Sequence, residues 1–157
     1  MHANVTRRRI GFVLCSFGAA SLHAQTANPG TTIHHEIDYK TTPARIYQAL
    51  LDAKQFSALT NQPAEIDPRP GGAFKLFGGA IEGRNVELIQ DKRIVQAWRP
   101  ASWTAGEYSV VRFELVPRKG RTRIVFDHAG FTEERWETLS DGWREHYWEP
   151  LHKYLNA

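Results

Sequence analysis

His128 ends the stretch Thr122-Arg-Ile-Val-Phe-Asp-His128, in which Ile124, Phe126 and His128 fall on one face of a strand while Val125 and Asp127 fall on the other. Its apolar neighbours predict an imidazole that points to the core side of a sheet, where it can orient a ligand or shuttle a proton. A histidine bonded to a backbone group at a cavity rim explains the same placement. No second catalytic group stands at a fixed spacing, and Asp127 faces the other way, which argues against a charge-paired dyad. Glu82 and Arg84 share an alternation with Val86 and Leu88. If unbroken, it carries both charges to a cavity mouth, where they would meet a charged ligand head; a mutual ion pair facing solvent is the plainer alternative. Trp98, Trp103, Trp143 and Tyr147 are candidates for pocket lining, the rings supplying contact area and the indole N–H or phenol supplying direction.

Other chemistries find little support. His34 and His35 alternate to opposite faces of a strand, and His146 and His152 lie about 240° apart around a helix, so neither pair converges on a metal. No glycine-rich phosphate loop opens a helix after a strand and no Gly-x-Ser-x-Gly elbow occurs, so no catalytic set, metal or resident cofactor is expected.

The elements that must position these residues follow from periodicity. Residues 31–39 alternate, with Ile33, His35, Ile37 and Tyr39 on one face. Thr42 and Pro43 make a cap and first-turn pair for a helix that carries Ile46, Tyr47, Leu50 and Leu51 and runs to about Ala53, and a short helix follows near Gln55 to Leu59. After the turn-rich joint Asp67-Pro-Arg-Pro-Gly-Gly72, strands are expected near 73–77, 81–89, 93–98, 108–117 and 121–129, joined by short reversals that imply antiparallel pairing. The last stretch places Trp143, Tyr147, Leu151 and Tyr154 along one stripe of a helix, widened by Trp148 and Leu155. Pro150 lies inside it, cannot bond the carbonyl of His146, and should bend the helix there. The fold class is α+β: a curved antiparallel sheet gripping a long C-terminal helix, with short helices after the first strand.

Both ends of the chain bear on its surroundings. Arg7-Arg-Arg9, the apolar run Ile10 to Leu22 and then Ala24-Gln25 have the order of an export signal cleaved after Ala24, too short for a membrane span. Thr6 to Ile10 also approximates the twin-arginine pattern. Residues 1–24 are thus expected to be removed, residues 25–30 to form a flexible leader and residues 31–157 to form one domain in the periplasm or outside the cell. Loss of three arginines takes the 20 Lys and Arg to 17, equal to the 17 Asp and Glu. The basic character belongs to the signal, so nucleic acid loses its compositional support as a partner, and no stable membrane insertion is expected after cleavage. The single cysteine, Cys15, leaves with the signal, which excludes internal disulfides from the exported domain.

Gly71-Gly-Ala-Phe-Lys75, Gly83-Arg-Asn-Val-Glu-Leu-Ile89, Ile94-Val-Gln-Ala-Trp-Arg99, Thr122 to Phe131, Gly142-Trp143 and His146-Tyr-Trp-Glu-Pro-Leu151 occur in the order seen in the START-like superfamily often called SRPBCC. More narrowly they resemble the homologues of the activator of a heat-shock-protein ATPase, over essentially Thr31 to Leu155. The resemblance implies a helix-grip fold with a deep cavity between sheet and C-terminal helix, usually suited to hydrophobic ligands. The expected function is carriage or binding of a small hydrophobic or amphipathic molecule by Arg84, Trp98, Trp103, His128, Trp143 and Tyr147. Two rivals remain: a cyclase- or hydrolase-like enzyme using His128 with Tyr147 or Arg84, and a chaperone-associated protein-binding module, whose protein partner the sequence leaves unknown. Polar groups converging at the pocket bottom would mark the enzyme, and an exposed apolar patch with little internal volume the module.

Overall fold

Thr42 and Pro43 set the first change of direction. The Thr42 hydroxyl accepts from the Arg45 backbone N–H at 3.4 Å, and Pro43 opens helix α1 (Pro43–Leu51) after strand β1 (Thr32–Tyr39). Asp52 closes α1 and caps α2 (Ala53–Thr60), its carboxylate accepting from Gln55 N at 2.9 Å. Six further strands follow: β2 (Glu65–Ile66), β3 (Ala73–Leu76), β4 (Ile81–Ile89), β5 (Arg93–Pro100), β6 (Ser109–Arg118) and β7 (Arg121–Ala129). The structure, a computed structural model, describes residues 30–156; the expected export signal and nearly all of the leader lie outside the described residues.

The seven strands form one antiparallel sheet in the order β1-β7-β6-β5-β4-β3-β2, so the first strand closes against the last. Register places Ile33 opposite His128 and His35 opposite Phe126. The inner face carries Ile33, Ile94, Trp98, Val111, Phe113, Ile124 and Phe126, all buried. The outer face is a lattice of cross-strand ion pairs. Arg123 holds Asp38 and Glu36, Arg112 holds Asp127, and Arg93 bridges Glu114 and Glu87.

The C-terminal helix begins earlier than its aromatic stripe suggests. A 3-10 turn at Glu133–Arg135 leads into α3 (Trp136–Trp143), then a π-helical turn at Arg144–Trp148, then α4 (Glu149–Leu155). Near Pro150, where a bend is expected, the helix takes a π-helical turn: the Glu149 N–H reaches back five residues to the Arg144 carbonyl, and the wide turn ends just before the proline. Five residues of α-helix would set Trp143 and Trp148 about 140° apart. The π turn reduces that offset, and the two indoles stack with centroids 5.7 Å apart at 23°. Leu139, Trp143, Tyr147, Trp148 and Leu151 are buried against the sheet. Among the described residues no helix is long and apolar enough to cross a membrane.

Candidate functional site

An open cleft of about 480 Å³ runs along the N-terminal half of the gripped helix, between it and the β4–β5 end of the sheet. Leu139, Gly142, Trp143, His146 and Tyr147 supply the helix wall, and Trp98, Pro100, Ile81 and Phe77 supply the sheet side. The cleft lies ahead of Pro150, so the opening does not arise from the proline. Gly142 contributes directly: a Cβ built there meets nothing within 4 Å. Phe77 enters from the β3–β4 connection at φ +54°, a strained conformation for a bulky residue, and packs edge-on to Tyr147 at 5.3 Å and Phe56 at 5.4 Å.

Behind this wall the hydrogen bonds define each donor. The Trp143 indole N–H donates to His128 Nδ1 at 2.9 Å. An indole nitrogen can only donate, so Nδ1 carries no proton and the neutral ring carries it on Nε2. Nε2 then donates to the Ser109 hydroxyl at 2.7 Å, and Ser109 donates to the Trp98 carbonyl at 2.9 Å. Burial pushes the His128 pKa down to about 3, in keeping with a neutral imidazole. His128 therefore faces inward as the alternation predicts, but both nitrogens are committed and it stands one layer behind the cleft. Its partners are two side chains and not the backbone group of the rim expectation.

The same accounting covers the cleft surface. The Trp98 indole N–H donates to the Tyr147 hydroxyl at 3.4 Å. Burial raises the Tyr147 pKa, so the phenol keeps its proton. Trp98 and Trp143 lie 5.4 Å apart with rings inclined at 35°, and Trp143 meets Tyr147 at 4.2 Å. These three come together as expected. Trp103 stands beside them, half-buried, edge-on to Trp98 at 6.2 Å and covered by the Arg135 guanidinium 4.1 Å from its ring centroid. It belongs to the support of Trp98 and is not part of the cleft wall.

Arg84 corrects the sequence expectation. Strand β4 carries a bulge between Asn85 and Glu87, which leaves Val86 without a partner residue in β5 and inverts the alternation. Leu88 consequently packs with the core while Val86, of the same parity, is 57% exposed. Gly83 and Asn85 turn inward, and Arg84 lies on the outer side, donating to the Gly71 carbonyl at 3.0 Å. Glu82 pairs with Arg99 at 2.7 Å instead of with Arg84. The polar groups that the enzyme alternative would use, His128, Arg84 and Tyr147, thus do not converge. Among the described residues no three His, Cys, Asp or Glu side chains gather as a metal set.

The cleft residues missed from sequence include Phe77, Leu139, Gly142 and His146, together with Gln62, Ala80, Ile81, Pro100 and Thr138. Leu139 had a signal, standing four residues before Trp143 on the same stripe. Gly142 interrupts an otherwise continuous helical pattern, which is a packing signal of the same kind. Phe77 beside Gly78-Gly79 reads only as a turn.

The family model for activator of Hsp90 ATPase homolog 1-like protein matches residues 40–156. The human activator of 90 kDa heat shock protein ATPase homolog 1 is 26% identical over 113 residues, covering 72% of this chain and 33% of the relative. An uncharacterized protein of Schizosaccharomyces pombe is 30% identical over 106 residues, 68% of this chain and 32% of its own length. This chain spans about a third of the curated relatives it matches. Among solved structures, an HSP90 activator from Plasmodium falciparum superposes with TM-score 0.74 at 24% identity, covering 80% of this chain and 96% of the other. The Aha1 dimer from Colwellia psychrerythraea gives 0.68 at 20% identity, covering 79% and 95%. At these identities the structural likeness establishes the fold.

Proposed function

We propose, from the premise that this chain belongs to the activator of Hsp90 ATPase homolog 1-like family and has its START-like, helix-grip fold, that its cleft binds a small hydrophobic or amphipathic molecule. The observation that carries the reading is the aromatic cleft of about 480 Å³ beneath the helix, within the range of small-molecule sites. Its buried wall is Trp98, Leu139, Trp143 and Tyr147, while its polar lining residues Gln62, Thr138 and His146 are exposed at the edge. That distribution suits a ligand with an apolar body buried and a more polar end near solvent. Titration with N-phenyl-1-naphthylamine tests it: fluorescence should rise saturably with the wild type and fall by at least tenfold in apparent affinity for Gly142→Leu, whose side chain occupies the cleft. Equal binding by both proteins removes the cleft from the reading.

A second reading rests on the names of the relatives and on the outer face of the sheet, where Val86 is 57% and Val110 52% exposed. In it the domain docks on a chaperone of the Hsp90 class, and the assay is that chaperone's ATP hydrolysis with and without this protein. Export, inferred from Arg7 to Arg9 and the apolar run after them, decides which reading has a partner at hand. Mass spectrometry of protein recovered from the producing cell should find an N-terminus at or near Gln25. An intact Met1 to Ala24 segment on a cytoplasmic protein overturns export and favours the chaperone.

A further inference from the structure

The donors on the buried wall of the cleft are unequally used. Trp143 spends its N–H on His128 and Trp98 spends its N–H on Tyr147. Tyr147 accepts that bond, yet its own O–H has no acceptor among the described residues. Its ring is 5% exposed and burial holds the phenol in its protonated form. A buried hydroxyl with an unspent hydrogen is destabilising unless something else receives it, and buried polar groups in proteins are nearly all satisfied. The hydroxyl stands against Trp98 at 3.4 Å, and both residues line the cleft.

We propose that the cleft selects flat apolar molecules bearing a hydrogen-bond acceptor, a ketone or similar carbonyl, and that the Tyr147 O–H is the donor that recognises it. This rests on the ligand-binding reading above and names its ligand class. The shape follows from the wall: Trp98 and Trp143 pack on each other, ring centroids 5.4 Å apart and planes inclined at 35°, as one broad aromatic surface, and Gly142 leaves open space beside it. The polarity follows from the donor accounting. A carboxylate has no free buried cation to meet here: among the described residues no lysine or arginine lines the cleft, Arg84 is turned to the outer face, the buried Arg99 is paired with Glu82 at 2.7 Å, and His128 is neutral and fully committed. A neutral acceptor meets one neutral donor.

The test uses 2-acetylnaphthalene and 2-ethylnaphthalene, two probes of similar shape that differ in the acceptor, titrated by tryptophan fluorescence against the wild type and Tyr147→Phe. The ring is kept, so packing with Trp143 and Phe77 is retained; thermal unfolding monitors the fold. The ketone should lose about two- to thirteenfold in affinity on Tyr147→Phe while the hydrocarbon changes little. The carbonyl stretch of the bound ketone should lie at lower frequency in the wild type than in the variant. If both probes bind and Tyr147→Phe shifts them equally, or the stretch is unmoved, the ligand class is wrong and the cleft reading stands. If neither probe binds the wild type, both fall.

Discussion

Replacing His128 by Phe should make the protein less stable near neutrality and less sensitive to mild acid. In the wild type the imidazole is held neutral, with its pKa pushed down to about 3 by burial, whereas the unfolded chain takes up the proton near pH 6.5. A depressed pKa contributes stability that is complete above pH 6.5 and is lost as pH falls toward 3, because the unfolded state binds the proton first. The loss accrues below pH 6.5 at about 1.4 kcal/mol per pH unit, so by pH 4.5 it sums to about 3 kcal/mol. Phe cannot titrate, so this slope disappears. In exchange the Trp143 N–H is stranded in the core, costing about 1–3 kcal/mol at pH 7.5. His35, whose pKa burial also lowers, is common to both proteins and cancels in the difference. Asp38, held below its usual range by the Arg123 guanidinium, titrates beneath the window. Urea unfolding at pH 7.5, 6.5, 5.5 and 4.5 gives the two stability curves. They should converge by about 3 kcal/mol, the variant matching or exceeding the wild type at the acid end. Curves that stay parallel would refute both the neutral imidazole and the donor chain built on it.

Trp143→Ala should destabilise by about 3–5 kcal/mol in chemical denaturation, since the ring is 2% exposed and meets Phe126 at 4.4 Å; a cost below about 1 kcal/mol would mean the helix does not cover the sheet. Two glycines should behave oppositely in thermal unfolding. Gly83→Ala places a Cβ 2.1 Å from the Ala97 carbonyl and 2.4 Å from the Phe74 ring and should lower stability by about 1–3 kcal/mol, whereas Gly142→Ala meets nothing and should gain up to about 1 kcal/mol from helix propensity. Reversal of that order would show the cleft beside Gly142 to be closed. Arg84→Ala should leave N-phenyl-1-naphthylamine affinity within about twofold of the wild type, as an outer-face residue requires; a tenfold loss would return Arg84 to the cleft.

Much of the framework is legible locally. The two-residue period of β1 and β7 placed Ile33, Tyr39, Ile124, Phe126 and His128 inward because successive strand side chains alternate whatever lies across from them. Thr42 and Pro43 marked a helix start because capping satisfies backbone groups within four residues, whereas the first helix stops at Leu51, short of the expected Ala53, where Asp52 caps the next. The stripe through Trp143, Tyr147 and Leu151 required a broad apolar partner, and the sheet supplies it.

What stayed hidden depends on neighbours distant in sequence. The misreading of Arg84 follows from a bulge defined by the register of β4 against β5: Arg84 and Val86 share the outer face, and the extra residue returns Leu88 to the core face. The inertness of His128 follows from Trp143 and Ser109, 15 and 19 residues away along the chain: the Trp143 N–H donates to Nδ1 and the Ser109 hydroxyl accepts from Nε2, so both ring nitrogens are engaged. The π turn brings Trp148 alongside Trp143, an arrangement that a regular helical period does not contain. The composition of the inner face was set by side-chain periodicity. Which of those buried polar atoms is spent and which is left without an acceptor among the described residues was set by packing, because a hydrogen bond needs its partner within about 3 Å and only the folded chain brings the partners that close.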